Sequence, residues 1–456
     1  MKKIHCLFLI ITVVPMLASA QSVWQTLSTG KDLSNWKQLG GKAKYSIQNN
    51  VIVGQAVPES PNSFLATKEN YTDFILEFEV LDTELNSGVQ IRSHSLPDFK
   101  AGRVHGYQVE IDPSQRSWTG GIYDEARRGW LYPLSINENA RSAFKKGEWN
   151  KFHIEAIGNT INTWVNGVQC ARLVDDMNAE GFIAFQVHAI SKPELEGITV
   201  QWRDIRIVTK DLDAYRLVQD PEVSECSYLI NTLTEWEKDH GWRLLWDGAS
   251  TKGWRSAKED KFPDSGWTIE NGELNLHPGD GKESARPGDI ITTKKFSDFE
   301  IDFEFWLTEG ANSGFKYFID PSLIKTKGSA IGCEFQLLDD KLHPDAKHGV
   351  AGNRTVGSLY DLIAATNLSV PDQSKIFKGV KEWNRAKIIS RNGKVEHWLN
   401  NVKVVEYDRY SQIFKALVAY SKYKGYENFG SIPEGHLLLQ DHGDEVKFRS
   451  IKIREL

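Results

Sequence analysis

The chain has 456 residues, 25% of them charged and 40% hydrophobic, with a formal net charge of −6. That length holds two or three domains, the composition excludes disordered and fibrous classes, and the acidic balance leaves no basic footprint for nucleic acid. Tryptophan is plentiful (15, beside 14 Tyr and 21 Phe), which suits β structure and sugar stacking alike.

The chain opens with Lys2 and Lys3, an apolar run from Ile4 to Leu17, and Ala18-Ser19-Ala20. A basic start, a short greasy centre and a small-x-small end are the parts of a secretory signal. Residues 1–20 are therefore read as a cleaved leader, and the protein as secreted, most simply to the periplasm. The run is too short for a membrane span, and no later stretch approaches about twenty apolar residues. Cleavage removes Cys6 and leaves Cys170, Cys226 and Cys333, too few and too scattered for a disulfide framework.

Beyond the leader, one domain is written twice. Asp73-Phe-Ile-Leu-Glu-Phe-Glu-Val80 returns as Asp298-Phe-Glu-Ile-Asp-Phe-Glu-Phe305, and Asn86-Ser-Gly88 as Asn312-Ser-Gly314. Glu148-Trp-Asn150, Trp164-Val-Asn166 and Gln186-Val-His188 return as Glu382-Trp-Asn384, Trp398-Leu-Asn400 and Gln440-Asp-His442. The order is kept while the spacing drifts slowly, as loop insertions would make it. Most matched segments alternate apolar and polar residues, the period of a strand with one buried face, and long helical patterns are nearly absent. Residues 22–208 and 242–456 are thus expected to be two large antiparallel β-sandwiches. Between them, at 209–241, Leu229, Ile230, Leu233 and Trp236 recur at helical spacing before Gly241, which predicts a linker carrying one short amphipathic helix that packs on a sandwich.

Some strands carry amide or ionisable groups on their second face. Alternation puts Gln186 and His188 together, and likewise Gln440 and His442. It also groups Gln108, Glu110 and Asp112, and in the second copy Glu334 and Gln336. A Gln–His pair and a Gln/Glu pair in both copies favour a hollow, cleft-like face over an ordinary wet one. The glycine-rich segment Thr119–Gly129 adds Arg127 and Arg128; Asp339–His348 gathers carboxylates and imidazoles dense enough for acid–base chemistry or a divalent metal, although the spacing matches no standard zinc signature. Glu300, Asp302 and Glu304 resemble the paired carboxylates of retaining β-glucanases. Neighbours two apart on a strand lie roughly 6.7 Å apart against the about 5 Å that chemistry wants, so these are read as a solvated strand face. Trp149, Trp164, Trp383 and Trp398 are read as core.

Together, Gly106–Asp112, Gly120–Trp130 and Phe185–His188 in the first half, and Asn312-Ser-Gly, Glu334–Asp340, His343–Lys347, Gly352–Thr355, Gly357–Asp361, Glu396–Asn400 and Leu439–Gly443 in the second, resemble the 3-keto-disaccharide hydrolase family, also described as 3-keto-glucoside 1,2-lyase / 3-keto-2-hydroxy-glucal hydratase. The resemblance implies an all-β fold of two tandem concanavalin-A-like (lectin/glucanase) jelly-roll sandwiches. It also implies an enzyme acting on a 3-keto-glucoside: C2 proton abstraction, elimination at C1 and rehydration, with no redox cofactor required and a partner oxidoreductase making the ketone beforehand. On that resemblance the acid–base candidates are Glu334, Asp339, His343, His397 and His442 in the second domain, and Glu110, Asp112 and His188 in the first. The sugar-binding candidates are Asn312, Gln336, Arg354, Tyr360 and Gln440, and Gln108, Tyr123, Arg127 and Gln186. A non-catalytic carbohydrate-binding protein and a conventional β-glucanase stand as the alternatives.

Overall fold

The computed structural model describes residues 23–28, 30–82, 84–279, 287–320 and 329–456; residues 1–20, expected from the sequence to be a leader, lie outside them. In the first half, two antiparallel sheets face each other. The sheet that bears the cleft runs, in spatial order, Gly129–Tyr132, Ile122–Glu125, His105–Ile111, Ser87–His94, Phe182–Val187, Ser63–Thr67 and Trp36–Gly40. Its partner centres on Trp149–Ile157, Phe74–Leu81 and Thr199–Val208. The alternation explains the packing: Phe74, Leu76, Phe78 and Val80 point inward, where Phe78 stacks on Phe152 at 4.9 Å and meets Phe185 of the opposite sheet edge-on at 5.6 Å. Edge-to-face and offset contacts of this kind add to the area term.

The second half repeats the arrangement. Its cleft-bearing sheet runs Trp254–Ser256, Ile290–Thr292, His436–Leu439, Asn312–Ile319 and Cys333–Leu338, against an outer sheet centred on Val446–Glu455, Phe299–Leu307 and Asn384–Arg391. Phe303 takes the place of Phe78 and stacks on Phe315 at 4.6 Å. The fold is two tandem lectin/glucanase jelly-roll sandwiches.

The linker joins both. Cys226–Ser227 adds a parallel strand to the first domain beside Leu173 and Val174. The helix is shorter than its apolar pattern suggests. It spans Glu235–Asp239, because Thr234 and Glu237 form a reciprocal capping box that fixes its start, so Leu229, Ile230 and Leu233 lie in the approach to it. Glu237, buried, pairs with Lys452 of the second domain's outer sheet. At the junction, Ser135 Oγ donates to the Asn401 carbonyl (2.6 Å), Asn401 Nδ2 donates to the Leu131 carbonyl (2.9 Å), and Val402 joins the first domain's core.

Two expectations about outer faces are corrected here. Glu300, Asp302 and Glu304 are not solvated: they are 5%, 2% and 7% exposed. Each is ion-paired, Glu300 with Lys387 and Arg454, Asp302 with Arg385, and Glu304 with Arg449. Trp164 is buried, but Trp149 and Trp383 are half-buried on the outer faces, each under an arginine (Arg203 and Arg449, 4.0 Å from the ring centre), and Trp398 is half-buried beside Lys403. A cation over an indole face lets a tryptophan finish an outer sheet surface.

Candidate active sites

In each domain the face turned away from the core is hollowed where the alternation gathers polar groups. The first cleft, about 530 Å³, is lined by Gln108, Glu110 and Asp112 from one strand, Gln186 and His188 from the next but one, and Tyr123. Gly88 makes room: a Cβ there would lie 2.5 Å from the Gln108 side chain. That steric need accounts for the glycine of Asn86-Ser-Gly88. Gln186 Nε2 donates to Gln108 Oε1 (2.9 Å) and Gln108 Nε2 to Glu110 Oε2 (2.8 Å), while Asn86 Nδ2 donates to Glu110 Oε1 (2.6 Å). Among the described residues the buried Gln186 Oε1 has no hydrogen-bond donor, which leaves an unsatisfied acceptor in the cleft.

Two carboxyls two residues apart end up opposite in character. Burial lifts Glu110 to about 7, against the pull of Arg116 and of its amide donors. Burial also works against the charge on Asp112, but Arg116, whose Nε donates to Asp112 Oδ2 (2.7 Å), together with hydrogen bonds from Ser114 and Trp118, holds that carboxyl below its ordinary range. Asp112 accepts the backbone N–H groups of Ser114 and Trp118, so it organises the loop that presents Arg116 as well as lining the cleft. His188 Nδ1 lies 2.7 Å from the Ala189 carbonyl. That contact donates Nδ1–H to the carbonyl and leaves Nε2 for another partner.

In the second domain Asn312, Glu334, Gln336, Tyr360, Gln440 and His442 line a small pocket of about 50 Å³. Asn312 Nδ2 is 3.3 Å from His442 Nε2. Gly314 plays the part of Gly88, since a Cβ there would come within 2.2 Å of a Glu334 carboxylate oxygen. Lys316 Nζ is 3.6 Å from Glu334. Tyr360 donates its hydroxyl to Asp345 Oδ2 (2.7 Å), and Arg354 binds Asp345 and Asp361. Burial and the Asp345 contact raise the Tyr360 phenol, which stays a donor.

Five candidates do not line the clefts. His397 is not in the cleft: it is fully buried between the sheets, Nε2 2.8 Å from the Tyr317 hydroxyl and Nδ1 2.9 Å from the Gly357 carbonyl, and burial lowers its pKa to about 4. Arg127 does not line the first cleft; its Nε donates to Asp124 (2.7 Å) and its Nη1 to Asn178 (3.0 Å). Asp339 accepts the backbone N–H groups of Gly310, Lys341 and Leu342 and shapes a loop. Arg354 stands behind Tyr360 as its support. His343 stands next to the pocket without lining it, its ring centre 6.2 Å from that of His442 and its Nδ1 accepting from the Asp345 backbone N–H. As for a metal in Asp339–His348, Asp340 takes Lys375 and the Val356 N–H, and Asp345 takes Arg354 and Tyr360; among the described residues no three His, Cys, Asp or Glu side chains converge as a metal would require.

The sequence reading missed a cation in each cleft. Arg116 enters the first from the Ser114–Arg116 turn, its Nη2 3.5 Å from Glu110; Lys422 enters the second from the segment after the helix Gln412–Tyr420, 4.1 Å from the Tyr360 ring centre. Neither belongs to an alternating strand, so periodicity gave no signal. Asn86 was within reach of the repeated Asn-Ser-Gly.

Fold and site thus define a tandem lectin/glucanase jelly roll with a polar, acid-bearing cleft in each copy. The profile of the 3-keto-alpha-glucoside-1,2-lyase-like domain matches residues 23–208 and again 241–454, and the chain belongs to that family. A 3-keto-disaccharide hydrolase of Bacteroides thetaiotaomicron is 36% identical over 236 residues, which cover 47% of this chain and 79% of that protein. Among solved structures, a provisional glycosyl hydrolase of Parabacteroides distasonis is 29% identical with a TM-score of 0.43, covering 50% of this chain and 99% of its own, and a second from the same organism is 25% identical with a TM-score of 0.34, covering 47% and 99%. Among the described residues no helix is long and apolar enough to cross a membrane.

Proposed function

We propose that the chain is an exported, periplasmic enzyme that cleaves 3-keto-glucosides, 3-keto-disaccharides among them, by elimination followed by hydration. The observation that carries this reading is the first cleft's pairing of a buried glutamate raised to about 7 with an imidazole and a cation. A carbonyl at C3 acidifies the C2 proton, and a base with a pKa near the working pH is the effective one to take it. Glu110 accepts the C2 proton, and the charge delocalised over C2, C3 and the ketone oxygen lies near Arg116 and the amides of Gln108 and Gln186. The C1–O1 bond breaks as His188 gives a proton to the leaving oxygen. The C1=C2 enol left behind then takes a proton at C2 and hydroxide at C1 from water, so the sum is hydrolysis to 3-keto-glucose. In the second domain Glu334, His442 and Lys422 take the corresponding parts.

No electrons are exchanged with a cofactor in this scheme. The ketone must come from a separate oxidoreductase acting beforehand.

The test is a matched pair, a glucoside and its 3-keto form, incubated in D2O. The 3-keto sugar alone is cleaved, and the released 3-keto-glucose carries deuterium at C2. Cleavage of the unoxidised glucoside, or a product with protium retained at C2, returns the protein to the conventional glycosidases; binding without product makes it a lectin-like protein.

A further inference from the structure

The first domain's cleft is not built by the first domain alone. Gln373, which belongs to the second domain, lies on its wall. The segment that carries it, 366–378, is held at both ends. Val370 and Ile376, on either side of Gln373, pack against the first domain's core cluster. Asn367 shapes the turn between them: its Oδ1 accepts from the Ser369 and Val370 N–H groups (3.1 and 2.8 Å) and its Nδ2 donates to the Ser374 carbonyl (3.2 Å). Lys375 ties the same segment back to its own domain, through Asp340, Thr355 Oγ1 and the Val356 carbonyl (2.9, 2.8 and 2.7 Å). An exposed glutamine between two docked apolar residues is a side chain held over a neighbour's cleft.

We infer that Gln373 is a substrate-selecting residue of the first domain's cleft, contacting the part of the sugar that leaves. The inference rests on the reading of that cleft as the place where a 3-keto-glucoside is bound. Burial separates the cleft into floor and rim: Glu110 and Gln186 are 4% and 0% exposed, whereas Gln373 is exposed. The reacting ring must meet Glu110, so it takes the floor. A cleft of about 530 Å³ falls in the range that encloses ligands larger than one ring, about 300–1,000 Å³, and a second ring joined through O1 extends toward the rim. The carboxamide offers both donor and acceptor there, which suits a hydroxylated leaving group over an apolar one.

The test uses the full chain in a His442→Ala background, so that turnover reports the first cleft. The ratio of kcat/KM for a 3-keto-disaccharide over that for methyl 3-keto-glucoside is compared with and without Gln373→Ala, with melting temperature as the check on folding. The inference expects the ratio to fall five- to tenfold, the scale of one neutral hydrogen bond, while Asp372→Ala, an exposed neighbour on the same segment, leaves it in place. An unchanged ratio overturns the inference and leaves the cleavage reading standing. Calorimetric binding of the 3-keto-disaccharide is the second readout: affinity weakened fivefold or more by Gln373→Ala supports the role even in a chain that turns nothing over. Equal affinity, or no binding by the parent chain, overturns it.

Discussion

Glu110 stands directly across the sheet from Gly88, whereas the residue across from the corresponding Gly314 is Gln336. The acid of the second cleft, Glu334, is two residues earlier on its strand, in the place that Gln108 holds in the first. Between the two copies the carboxyl and the carboxamide have exchanged rungs, a displacement of roughly 6.7 Å along the strand. The two clefts therefore hold the same groups in different order against the histidine, and equal activity on one substrate is not what the geometry favours.

Glu110→Gln is expected to remove the rising limb near pH 7 from the pH–rate profile of the first cleft, because the group raised to about 7 is the one that must lose its proton before it can accept another. Stability should move the other way. A carboxyl whose pKa is higher in the fold than in the unfolded chain contributes stability below about 4.5 and loses it as pH rises through about 7. The variant should then gain on the order of 1–3 kcal/mol over the parent at pH 8, and nothing at pH 4. Urea unfolding at the two pH values measures this; equal differences at both would mean that Glu110 is not held protonated.

His397→Ala should damage the fold and not the chemistry. The ring fills space between the sheets and bonds Tyr317 and Gly357, so truncation should cost about 2–4 kcal/mol through the cavity and the unpaired groups left behind. With its pKa lowered to about 4 by burial, His397 contributes stability that is full above about 6.5 and lost as pH falls through 4. The parent chain should therefore lose up to about 3 kcal/mol over that window, and a variant without the imidazole should lose less. Melting curves from pH 7 to 4 on parent and variant check the difference.

The histidine also marks how far the sequence could be read. Alternation groups His397 with Val395 and Leu399, both buried, so its strand already pointed it at the core; the family likeness of Glu396–Asn400 argued the other way. The Gln186–His188, Gln440–His442 and Gln108–Asp112 sets were legible because they are periodic in a repeat, and a strand's period is enforced by its pleat. Arg116, Lys422 and Gln373 were not, since loops and a neighbouring domain bring them in. The burial of Glu300, Asp302 and Glu304 was equally hidden, because what covers a sheet's outer face lies far away in the chain.

His188→Ala and His442→Ala each remove the imidazole from one cleft. The double variant is expected to lose at least about 100-fold of the turnover on a 3-keto-glucoside, the least a proton-transfer group ordinarily supplies, with its melting temperature within a few degrees of the parent's. The single variants apportion the activity between the copies. Wild-type turnover in the double variant would take both histidines out of the reaction.

Arg385 and Asp302 form the ion pair on which the domain junction turns. Arg385 Nε lies 2.9 and 3.0 Å from the two Asp302 oxygens, and its Nη1 donates to the Ser227 carbonyl of the linker (2.9 Å). Both side chains are nearly inaccessible, at 7% and 4%. Removing one partner of such a pair leaves a buried charge, at a cost of about 3–5 kcal/mol, and here it also frees a linker carbonyl. Arg385→Ala should therefore lower the melting temperature and open the chain to proteolysis within 209–241 before either sandwich is cut. Asp302→Asn, which keeps an acceptor for the guanidinium, should cost less. A digestion pattern in Arg385→Ala identical to that of the parent would mean that the linker is held by the capping helix and the Ser135–Asn401 contact alone.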